Sequence, residues 1–519
     1  MWNAAPTSAR VRRAALGAAV TLATTALAGL SNAASASPGD LDPGFGGANH
    51  GRVAFALGTV TDLAVQPNGK VVVVGFSPDL HAVMTRFNAD GTPDRDFGTV
   101  TLTAGTQTEQ ARAVVVQPDG RIVVAGSVID AAGGDDVGVW RVLPSGKPDT
   151  TFGGGDGYLQ VGDAGVLEFP SDIALDHRGR IVVAGVGQGA GFDVLALRVT
   201  ASGLPDPTFN HGSTSFDVNH FGTDVGVAVA VQKDNQIVVA ANYAGARGYA
   251  ALRIAPGDAT PSGFAGLDQT FGDGGVADVA GTLPANLNTD VAVTRDGHIL
   301  LLDGLPSIST PGGADATVVR LDSSGNVDPT FGSATGARLP VPQGAASIVG
   351  EGIALLPHGD IAVAGDSGTG SNGFVAEVSR TGAPDTGMGP HGVKPLRALD
   401  GMVGAASLAD GRILAAGNVV GRENVLYRLR GDLVAPSCGR RQATIVGTSA
   451  ADRLVGTKHA DVIAGLGGGD TVTGLGKGDV ICGGSGKDHL SGGAGADHLY
   501  GGRGLDVLRG GPGRDVIRQ

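Results

Sequence analysis

The sequence predicts an all-β protein, a seven-bladed β-propeller of four-stranded blades followed by a parallel β-roll. Three observations lead to this prediction. Glycine occupies 90 of the 519 positions, a frequency that disfavours long helices. A unit built around a β-hairpin recurs seven times between residues 41 and 430, and a nine-residue unit recurs eight times after residue 446. Repeats of this kind indicate stacked supersecondary units.

The composition excludes several other classes of protein. With 42% hydrophobic residues and a mean hydropathy of +0.12, the chain is too apolar to be disordered. Its glycines show no three-residue period with proline, which excludes collagen. Two cysteines cannot make a disulfide-dense scaffold. A net charge of -13 argues against nucleic acid as a partner.

Residues 1–36 have the pattern of a secretory signal peptide. Arg10, Arg12 and Arg13 precede an uncharged stretch, residues 14–30, and small residues follow as far as Ala36, the predicted cleavage site. An anchoring helix is the alternative, but the stretch is short and weakly apolar for a membrane span. The arginine pair leaves Sec and twin-arginine export open. We expect a secreted protein, extracellular or associated with the cell surface, with no membrane span and in an oxidising environment.

The propeller prediction, for residues 38–436, rests first on a recurring hairpin. Two β-branched runs flank a tight turn in which proline presets the backbone, Asn or Asp tolerates it and glycine supplies a positive φ. The hairpin occurs as LAVQPNGKVVVVG (63–75) and VVVQPDGRIVVAG (114–126), with further copies that begin at residues 173, 229, 291, 353 and 407.

The second recurring motif is a link of Asp, two variable residues, an aromatic residue and Gly. We expect the aspartate to cap the turn and the aromatic ring to fill the wedge between adjacent sheets. The seven copies are DPGFG (42–46), DRDFG (94–98), DTTFG (149–153), DPTFN (206–210), DQTFG (268–272), DPTFG (328–332) and DTGMG (385–389).

With a third strand after each hairpin, such as AVMTRFN (82–88), the motifs make a four-stranded unit whose radial stacking gives a propeller. Closing the ring should bring residues 41–55 and 425–430 together. An open solenoid and a ring of six or eight blades are the alternatives. The fourth unit departs from the pattern with an insertion at 256–266 and Asn235 at the turn, and the last link has Met388. On these motifs, residues 41–430 resemble the delta-60 repeat family, which implies a β-propeller of unassigned function.

Residues 447–519, the predicted roll, divide into eight nonapeptides of the pattern G-G-x-G-x-D-x-U-x, clearest in GGSGKDHLS (483–491) and GGAGADHLY (492–500). The sixth position is always aspartate: Asp452, Asp461, Asp470, Asp479, Asp488, Asp497, Asp506 and Asp515. The eighth is always aliphatic and is expected to fill a thin core: Leu454, Ile463, Val472, Ile481, Leu490, Leu499, Leu508 and Ile517.

The nine-residue period predicts a cation site. Two nonapeptides complete one coil, so the carboxylates of alternate repeats stack about 4.8 Å apart. At that distance they repel by about 3 to 4 kcal/mol at an effective dielectric near 20. Ca²⁺ suits such a ladder because it accepts many oxygens in flexible geometry. We expect all eight aspartates to be ligands, Asp452 and Asp461 less so because their nonapeptides lack most of the glycines.

On these nonapeptides the segment resembles the RTX repeat family, which implies calcium binding. Without metal we expect it to be unfolded, because its core is too small to offset chain entropy and charge repulsion. The alternative is a Gly-Asp loop region that binds nothing. Many members of the family leave the cell by type I export, which the N-terminal signal makes doubtful here.

Two cysteines flank the start of the roll. Cys438 lies in the predicted linker, residues 437–446, and Cys482 ends the fourth nonapeptide. In an oxidising compartment we favour a disulfide between them over two free thiols. It would close a loop of 44 residues and contribute about 4 kcal/mol in the chain-entropy model.

Enzyme motifs are absent from the sequence, which has no G-x-S-x-G elbow, no phosphate loop and no H-E-x-x-H. The remaining polar candidates lie at turns and loops, where a structural or solvated role is expected. They are His50, His211 and His391 after links, His177 and His358 in hairpin turns, and the loop carboxylates Asp135, Asp136 and Asp163.

Three hypotheses for function remain. The leading one is an exported, non-enzymatic, monomeric protein whose propeller binds a cell-surface glycan or protein and whose roll folds on Ca²⁺. The second is a secreted hydrolase or lyase with its site at the propeller channel, which converging His and carboxylate groups with perturbed pKa values would favour. The third is a structural surface or matrix protein.

Overall fold

The structure is a computed structural model of the chain, and it divides into residues 1–36 and residues 37–519. The predicted signal peptide lies outside the described residues. These are 39–47, 50–105, 108–129, 132–162, 166–188, 191–209, 212–217, 223–243, 248–255, 266–279, 290–303, 316–333, 336–342, 348–357, 359–367, 372–389, 392–397, 401–419, 423–431, 437–439, 441–443, 445–447, 451–466 and 468–519. Within them, no helix has the length and apolar character to cross a membrane.

The described part of the propeller region forms seven antiparallel sheets of four strands each, as predicted. In the first six blades the four strands follow one another along the chain, from the innermost to the outermost. Blades one to three comprise Thr59–Val65, Val71–Phe76, Ala82–Phe87 and Thr99–Thr101; Glu109–Val116, Ile122–Ile129, Asp135–Val142 and Tyr158–Val161; Glu168–Leu175, Ile181–Gln188, Phe192–Val199 and Ser213–Phe216.

The next three blades follow the same plan, and a short 3-10 helix, Thr386–Met388, stands at the link of blade six. Their strands are Asp224–Val231, Ile237–Tyr243, Gly248–Ile254 and Val276–Val279; Asp290–Val293, Ile299–Asp303, Thr317–Leu321 and Ala337–Arg338; Ile348–Leu355, Ile361–Ser367, Asn372–Val378 and Val393–Arg397.

Blade seven closes the ring with strands from both ends of the propeller region. Gly401–Ser407, Ile413–Asn418 and Asn424–Leu429 supply its three inner strands, and Arg52–Phe55 supplies the outermost. Arg52 pairs with Tyr427 and Phe55 with Asn424 in antiparallel register. The predicted meeting of the two ends is therefore confirmed. It gives the last blade the same four strands as the other six.

The core lies between the blades. Each of seven buried hydrophobic clusters combines residues of two adjacent blades. Every cluster contains one buried link side chain, as predicted for a wedge: Phe45, Phe97, Phe152, Phe209, Phe271, Phe331 or Met388. The link aspartates cap their turns, as Asp149 does by accepting the N–H of Thr151 at 3.0 Å.

The hairpin turns take the positive φ that their sequence predicts. Gly69 has φ 78° and Gly120 has φ 84°. Asn235, which replaces the glycine in the fourth unit, takes φ 68°, a conformation that Asn adopts more readily than most residues. The asparagine also serves as a contact between blades, since its Oδ1 accepts the N–H of His177 at 2.9 Å.

The C-terminal segment forms two parallel sheets. One sheet consists of Ile445–Val446, Val462–Ala464, Val480–Ser485, His498–Arg503 and Val516–Arg518; the other of Arg453–Val455, Thr471–Gly476, His489–Ala494 and Val507–Arg509. Paired residues are 18 positions apart, as Val472 and Leu490 are, so two nonapeptides complete one coil, as predicted. Buried aliphatic residues of the eighth position form the core between the sheets.

A short hairpin of Ser437–Cys438 and Arg441–Gln442 precedes the roll. Cys438 forms a disulfide with Cys482, with a Cα–Cα distance of 5.7 Å. The predicted pairing is therefore confirmed. It connects the linker to the second complete coil of the roll.

Candidate metal centre

The turns of the roll adopt a backbone that favours glycine. In the fifth nonapeptide Gly484 and Gly486 have φ 106° and 138°, and the later nonapeptides repeat these values closely. In the fourth, Leu475 and Lys477 take the same left-handed region, at φ 82° and 70°. Side chains with a Cβ resist this conformation. The coil therefore imposes one turn geometry, and the glycines relieve its strain.

The aspartates of the sixth position form two rows that run along the roll. From Asp470 onward, each Oδ1 accepts the backbone N–H of the aspartate one coil earlier, as Asp488 does from Asp470 at 2.8 Å and Asp497 from Asp479 at 2.9 Å. The predicted stacking of alternate repeats is thus present. One row contains Asp452, Asp470, Asp488 and Asp506, and the other Asp461, Asp479, Asp497 and Asp515.

The second oxygen of these carboxylates is the unusual feature of the site. Oδ2 is buried and accepts no hydrogen bond in five of the aspartates: Asp470, Asp479, Asp488, Asp497 and Asp506. The first four of them are 0% exposed. Burial of an oxygen that carries negative charge is costly unless a hydrogen bond or a cation compensates it. The residues present therefore fit a cation.

Backbone carbonyls converge on the same space. A Cβ built on Gly465 would collide with the Asp470 carboxylate and with the carbonyl oxygen of Gly483, and Gly474 is in the same position relative to Asp479 and Gly492. The glycine of the first position thus keeps open a cradle lined by a carboxylate and a carbonyl. Oxygen donors of these two kinds are the ligands that Ca²⁺ prefers.

The electrostatics of the rows agree with this interpretation. Burial raises the pKa of Asp470, and the charges of Asp488 and Asp452 add to the effect. The pKa of Asp479 is raised by burial and by the charges of its own row, Asp497 and Asp461. A bound cation would oppose both causes, because it stabilises the ionised carboxylate.

The ends of the roll differ from its centre. Asp461 Oδ2 accepts hydrogen bonds from the Thr457 backbone N–H at 2.6 Å and the Thr457 hydroxyl at 2.9 Å. Thr457 stands where the last four nonapeptides have their second glycine. Asp452, Asp506 and Asp515 are partly exposed. The four central aspartates therefore make the best-formed part of the candidate site.

Two family models match the chain, one in the roll and one in the propeller region. A family model described as the RTX calcium-binding nonapeptide repeat matches residues 444–481 and 483–517. The C-terminal segment consists of RTX calcium-binding repeats. A second model, a β-propeller domain of unknown function (DUF5122), matches residues 66–97, 117–152 and 294–331. The prediction that the chain belongs to a family of propeller repeats is confirmed, and the family is the one described as DUF5122. Its matches lie in three of the seven repeat units.

Comparison with individual proteins adds little. No curated protein matches the chain significantly. Similar solved structures include a streptogramin B lyase (12% identity, 73% of this chain and 97% of that chain, TM-score 0.42), the WD40 β-propeller domain of Doa1 (13%, 76% and 97%, 0.42) and an ulvan lyase of a polysaccharide lyase family (11%, 73% and 95%, 0.42). Likeness at this level says nothing about the chemistry of this chain.

The central channel of the propeller holds polar groups that the sequence motifs did not single out. A cavity of about 180 Å³ is lined by the innermost strands of the blades. Asp62, Asp172 and Asp290 lie in its wall in blades one, three and five. The repeat itself carries a signal for them, because the equivalent position of the innermost strand, with the copies aligned on their turns, is Asp62, Ala113, Asp172, Ala228, Asp290, Gly352 or Gly404. Acidic and small residues alternate around most of the ring.

Each channel aspartate connects two blades. Its Oδ2 accepts a backbone N–H of the next blade, from Val114 to Asp62 at 2.7 Å, and its Oδ1 accepts the N–H of the following residue of its own strand. Asp172 and Asp290 repeat both contacts. Burial raises the pKa of Asp62 to about 7 and that of Asp290 to about 6. The three groups therefore fasten alternate blade interfaces.

The other polar candidates that the structure describes lie apart from this channel. His50 and His177 are exposed on turns, as expected. Asp136 is 4% exposed and accepts a hydrogen bond from Gln160, so it is not a solvated loop carboxylate; Asp135 begins the same strand. Four further candidates lie outside the described residues: Asp163, His211, His358 and His391.

Proposed function

We propose that this protein is an exported calcium-dependent binding protein, in which a propeller offers the binding surface and the RTX roll completes its folding on Ca²⁺. The observation that carries the proposal is the double row of buried Oδ2 atoms without hydrogen-bond partners. An extracellular location supplies the calcium concentration that such sites commonly need.

In this proposal the central aspartates hold calcium through Oδ2, and the first-position glycines leave their carbonyls free to contribute. These central residues are Asp470, Asp479, Asp488 and Asp497, with Asp506 and Asp515 next along the rows. Asp452 and Asp461 contribute least. In Asp461, Oδ2 already accepts the backbone N–H of Thr457. A bound Ca²⁺ would supply the positive charge that lets the stacked carboxylates ionise while buried. Oδ1 keeps each coil joined to the one before it.

The three channel aspartates join blades rather than serve catalysis, because both oxygens of each accept backbone N–H groups. Glu351 also lines the cavity, and burial raises its pKa to about 8, which is the observation that favours the alternative of a lyase or hydrolase at the channel. A general acid or base needs an oxygen or nitrogen that can reach substrate. A secreted hydrolase or lyase and a structural matrix protein stay as alternatives. A cell-surface glycan or protein is the proposed ligand of the propeller, and a monomer the proposed state.

Calcium removal tests the first half of the proposal. We expect the purified protein in a calcium chelator to lose strand signal in circular dichroism and to become sensitive to protease after residue 446, while the propeller stays resistant. Returning Ca²⁺ should restore both, with ion uptake seen by calorimetry, whereas Mg²⁺ should not. Unchanged protection of the roll in chelator, with no ion uptake, would sink the proposal.

A binding screen tests the second half. The purified protein is applied to arrays of cell-wall polymers and glycans, with Ca²⁺ and with chelator, and its oligomeric state is followed by light scattering. Retention on a polymer supports a receptor. Calcium-dependent self-association without retention would instead favour the matrix protein, and turnover of a polymer would favour the lyase or hydrolase.

A further inference from the structure

In the part of the chain that the structure describes, the innermost strands of six blades have a β-bulge at the same place. In blade two the pairing with the second strand shifts between Ala111 and Ala113, which makes Arg112 the bulge residue. A bulge inserts one residue into a strand and re-aims its side chain. The bulge residues of the other five blades are Thr61, Ser171, Val227, Glu351 and Val403.

These six residues, the bulge ring, all line the central cavity. The ring includes two valines, two hydroxyl groups, an acid and a base, whereas the residue two positions later in each strand is apolar in all six blades. One backbone geometry therefore presents different side chains to the channel from blade to blade. Such variation on a constant scaffold is expected where a site selects its ligand.

Arg112 is the one basic side chain among the described residues that line the cavity, and its contacts differ from those of the link arginines. In six blades an arginine of the third strand stacks on the link phenylalanine and forms an ion pair with the link aspartate, as Arg86 does with Phe97 and Asp94. Arg112 forms no ion pair with a described residue. Its Nη2 donates instead to the amide oxygen of Gln110 at 2.9 Å.

Burial makes the charge of Arg112 costly. It lowers the pKa of the guanidinium, and the charge of Asp135 offsets this effect only in part. Arginine stays protonated in proteins, so the positive charge remains in the channel. A partly buried charge is stabilised when a group of opposite charge binds it. Because Arg112 is partly exposed, an anion can reach it from solvent.

The cavity limits the size and the charge of that anion. Its volume of about 180 Å³ has room for a small polar group such as one sugar unit. The planar fork of an arginine binds a carboxylate through two parallel hydrogen bonds. Asp62, Asp172 and Asp290 line the same cavity, so their negative field disfavours an anion with two charges. A carboxylate, which has a single charge, fits best.

We propose that the channel binds a carboxylate-bearing sugar unit, with its carboxylate on the guanidinium of Arg112 and its hydroxyl groups beside Thr61 and Ser171. These two hydroxyl side chains belong to the blades on either side of Arg112. The Thr61 hydroxyl donates to the carbonyl oxygen of Ala111 at 3.0 Å, and its own oxygen can still accept a hydrogen bond. The inference rests on the proposed function of the propeller as a receptor, and it names the ligand class, a glycan that contains uronic acid.

The test compares methyl glucuronide with methyl glucoside, which lacks the carboxylate, by NMR titration of the full chain in saturating Ca²⁺. The natural protein should bind the glucuronide at least about tenfold more tightly, as expected for hydrogen bonds to a charged group. Arg112→Gln should abolish this preference. Arg112→Lys keeps the charge without the planar fork and should retain part of it. Arg95→Gln removes an exposed arginine of the link at 94–98 and should change nothing.

Loss of the preference in Arg112→Gln, with its retention in Arg95→Gln, supports the proposal. An unchanged preference in Arg112→Gln overturns it. If that variant does not fold, Arg112→Lys decides, and an affinity for the glucuronide equal to that of the natural protein overturns the proposal. Equal binding of both sugars by the natural protein also overturns it but leaves a receptor for neutral glycans. Binding of neither sugar overturns it as well, and the polymer arrays then show whether the receptor function fails with it.

Discussion

At the scale of single residues, the two oxygens of each roll aspartate have different tasks. Oδ1 accepts a backbone N–H of the preceding coil, at 2.8 Å between Asp470 and Asp488. Oδ2 is buried without a hydrogen bond in the central residues. Asparagine can keep the first contact but presents an N–H₂ donor in place of the second oxygen. Substitution by asparagine therefore separates metal binding from the contact between coils.

Asp488→Asn should weaken calcium binding by at least about tenfold. Changing a residue that only supports a metal ligand typically lowers metal affinity about 10- to 100-fold, and removing the ligand itself should cost at least as much. Asp452→Asn is the matched control at the first coil of the same row, and its effect should be much smaller. Calorimetric titration of both variants with Ca²⁺ measures the difference. Equal losses would contradict the distinction between the centre and the end of the row.

At this scale the sequence was informative about residue identity but not about contacts. The aspartate at every sixth position predicted the ladder. In the sequence, only the absence of a glycine at position 457 indicated the hydrogen bond from Thr457 to Asp461.

At the scale of elements, the linker hairpin is held against one sheet of the roll. Cys438 is 0% exposed and bonded to Cys482 in the strand Val480–Ser485. Gly439 approaches the side chains of Val480 and Tyr500 so closely that a Cβ would be 2.8 Å from Val480 Cγ1. The disulfide therefore fastens the entrance of the roll to its interior coils and reduces the entropy that ordering must overcome.

Replacing both cysteines by serine should destabilise the roll by about 4 kcal/mol, the loop-closure value for this separation. The roll should then need a higher calcium concentration to fold, since metal binding and folding are coupled. Circular dichroism during calcium titration measures the midpoint. Reduction of the natural protein with a thiol is the control and should shift the midpoint equally. An unchanged midpoint would show that the disulfide contributes nothing to this equilibrium.

The blades show which features a local sequence pattern predicts and which it does not. The hairpins, the third strands and the buried link phenylalanines all lie where periodicity and turn chemistry predicted them. The arginine over each phenylalanine was not predicted. It lies on the third strand of its sheet whereas the ring lies in the link, and its partner aspartate is eight residues away in four of the six blades. Such contacts depend on the twist and pairing of strands, which a pattern of apolar residues does not specify.

At the scale of the whole molecule, the ring is closed by long-range contacts and fastened around its axis. Arg52–Phe55 completes blade seven, and the channel aspartates connect blades one to two, three to four and five to six. Burial raises the pKa of each of these three groups, and the charge of Asp290 adds to the effect on Asp62 and Asp172. Their mutual repulsion grows as they ionise.

The stability of the propeller should therefore depend on pH in two opposite ways. A carboxyl whose folded pKa is raised binds its proton more tightly in the folded state, so stability falls as the pH rises from about 4, the unfolded pKa, to about 7, the folded pKa. The link aspartates act in the other direction. Hydrogen bonds from Thr330 and the Arg320 charge lower the pKa of Asp328 to about 2, so their contribution is lost as the pH falls below about 4. Maximal stability from these groups should lie near pH 4, where the two declines meet.

Denaturant unfolding with saturating Ca²⁺, which keeps the roll folded, measures this profile. Asp62→Asn with Asp290→Asn removes two of the channel carboxyls and should flatten the decline between pH 5 and pH 8. The loss below pH 4 should persist in that variant, because the link aspartates are unchanged. A natural protein that is equally stable at pH 5 and pH 8 would contradict the assignment.

The sequence by itself determined the architecture of this protein, because strands, turns and coil stacking are short-range properties that repeat in the chain and add up with every copy. Seven links predicted seven blades, and eight nonapeptides predicted the double row of aspartates. Only the tertiary structure decided which carboxylates face the channel and which side chains meet between neighbouring blades. These depend on residues brought together across tens to hundreds of positions, where contact follows from strand register and ring closure rather than from any local pattern.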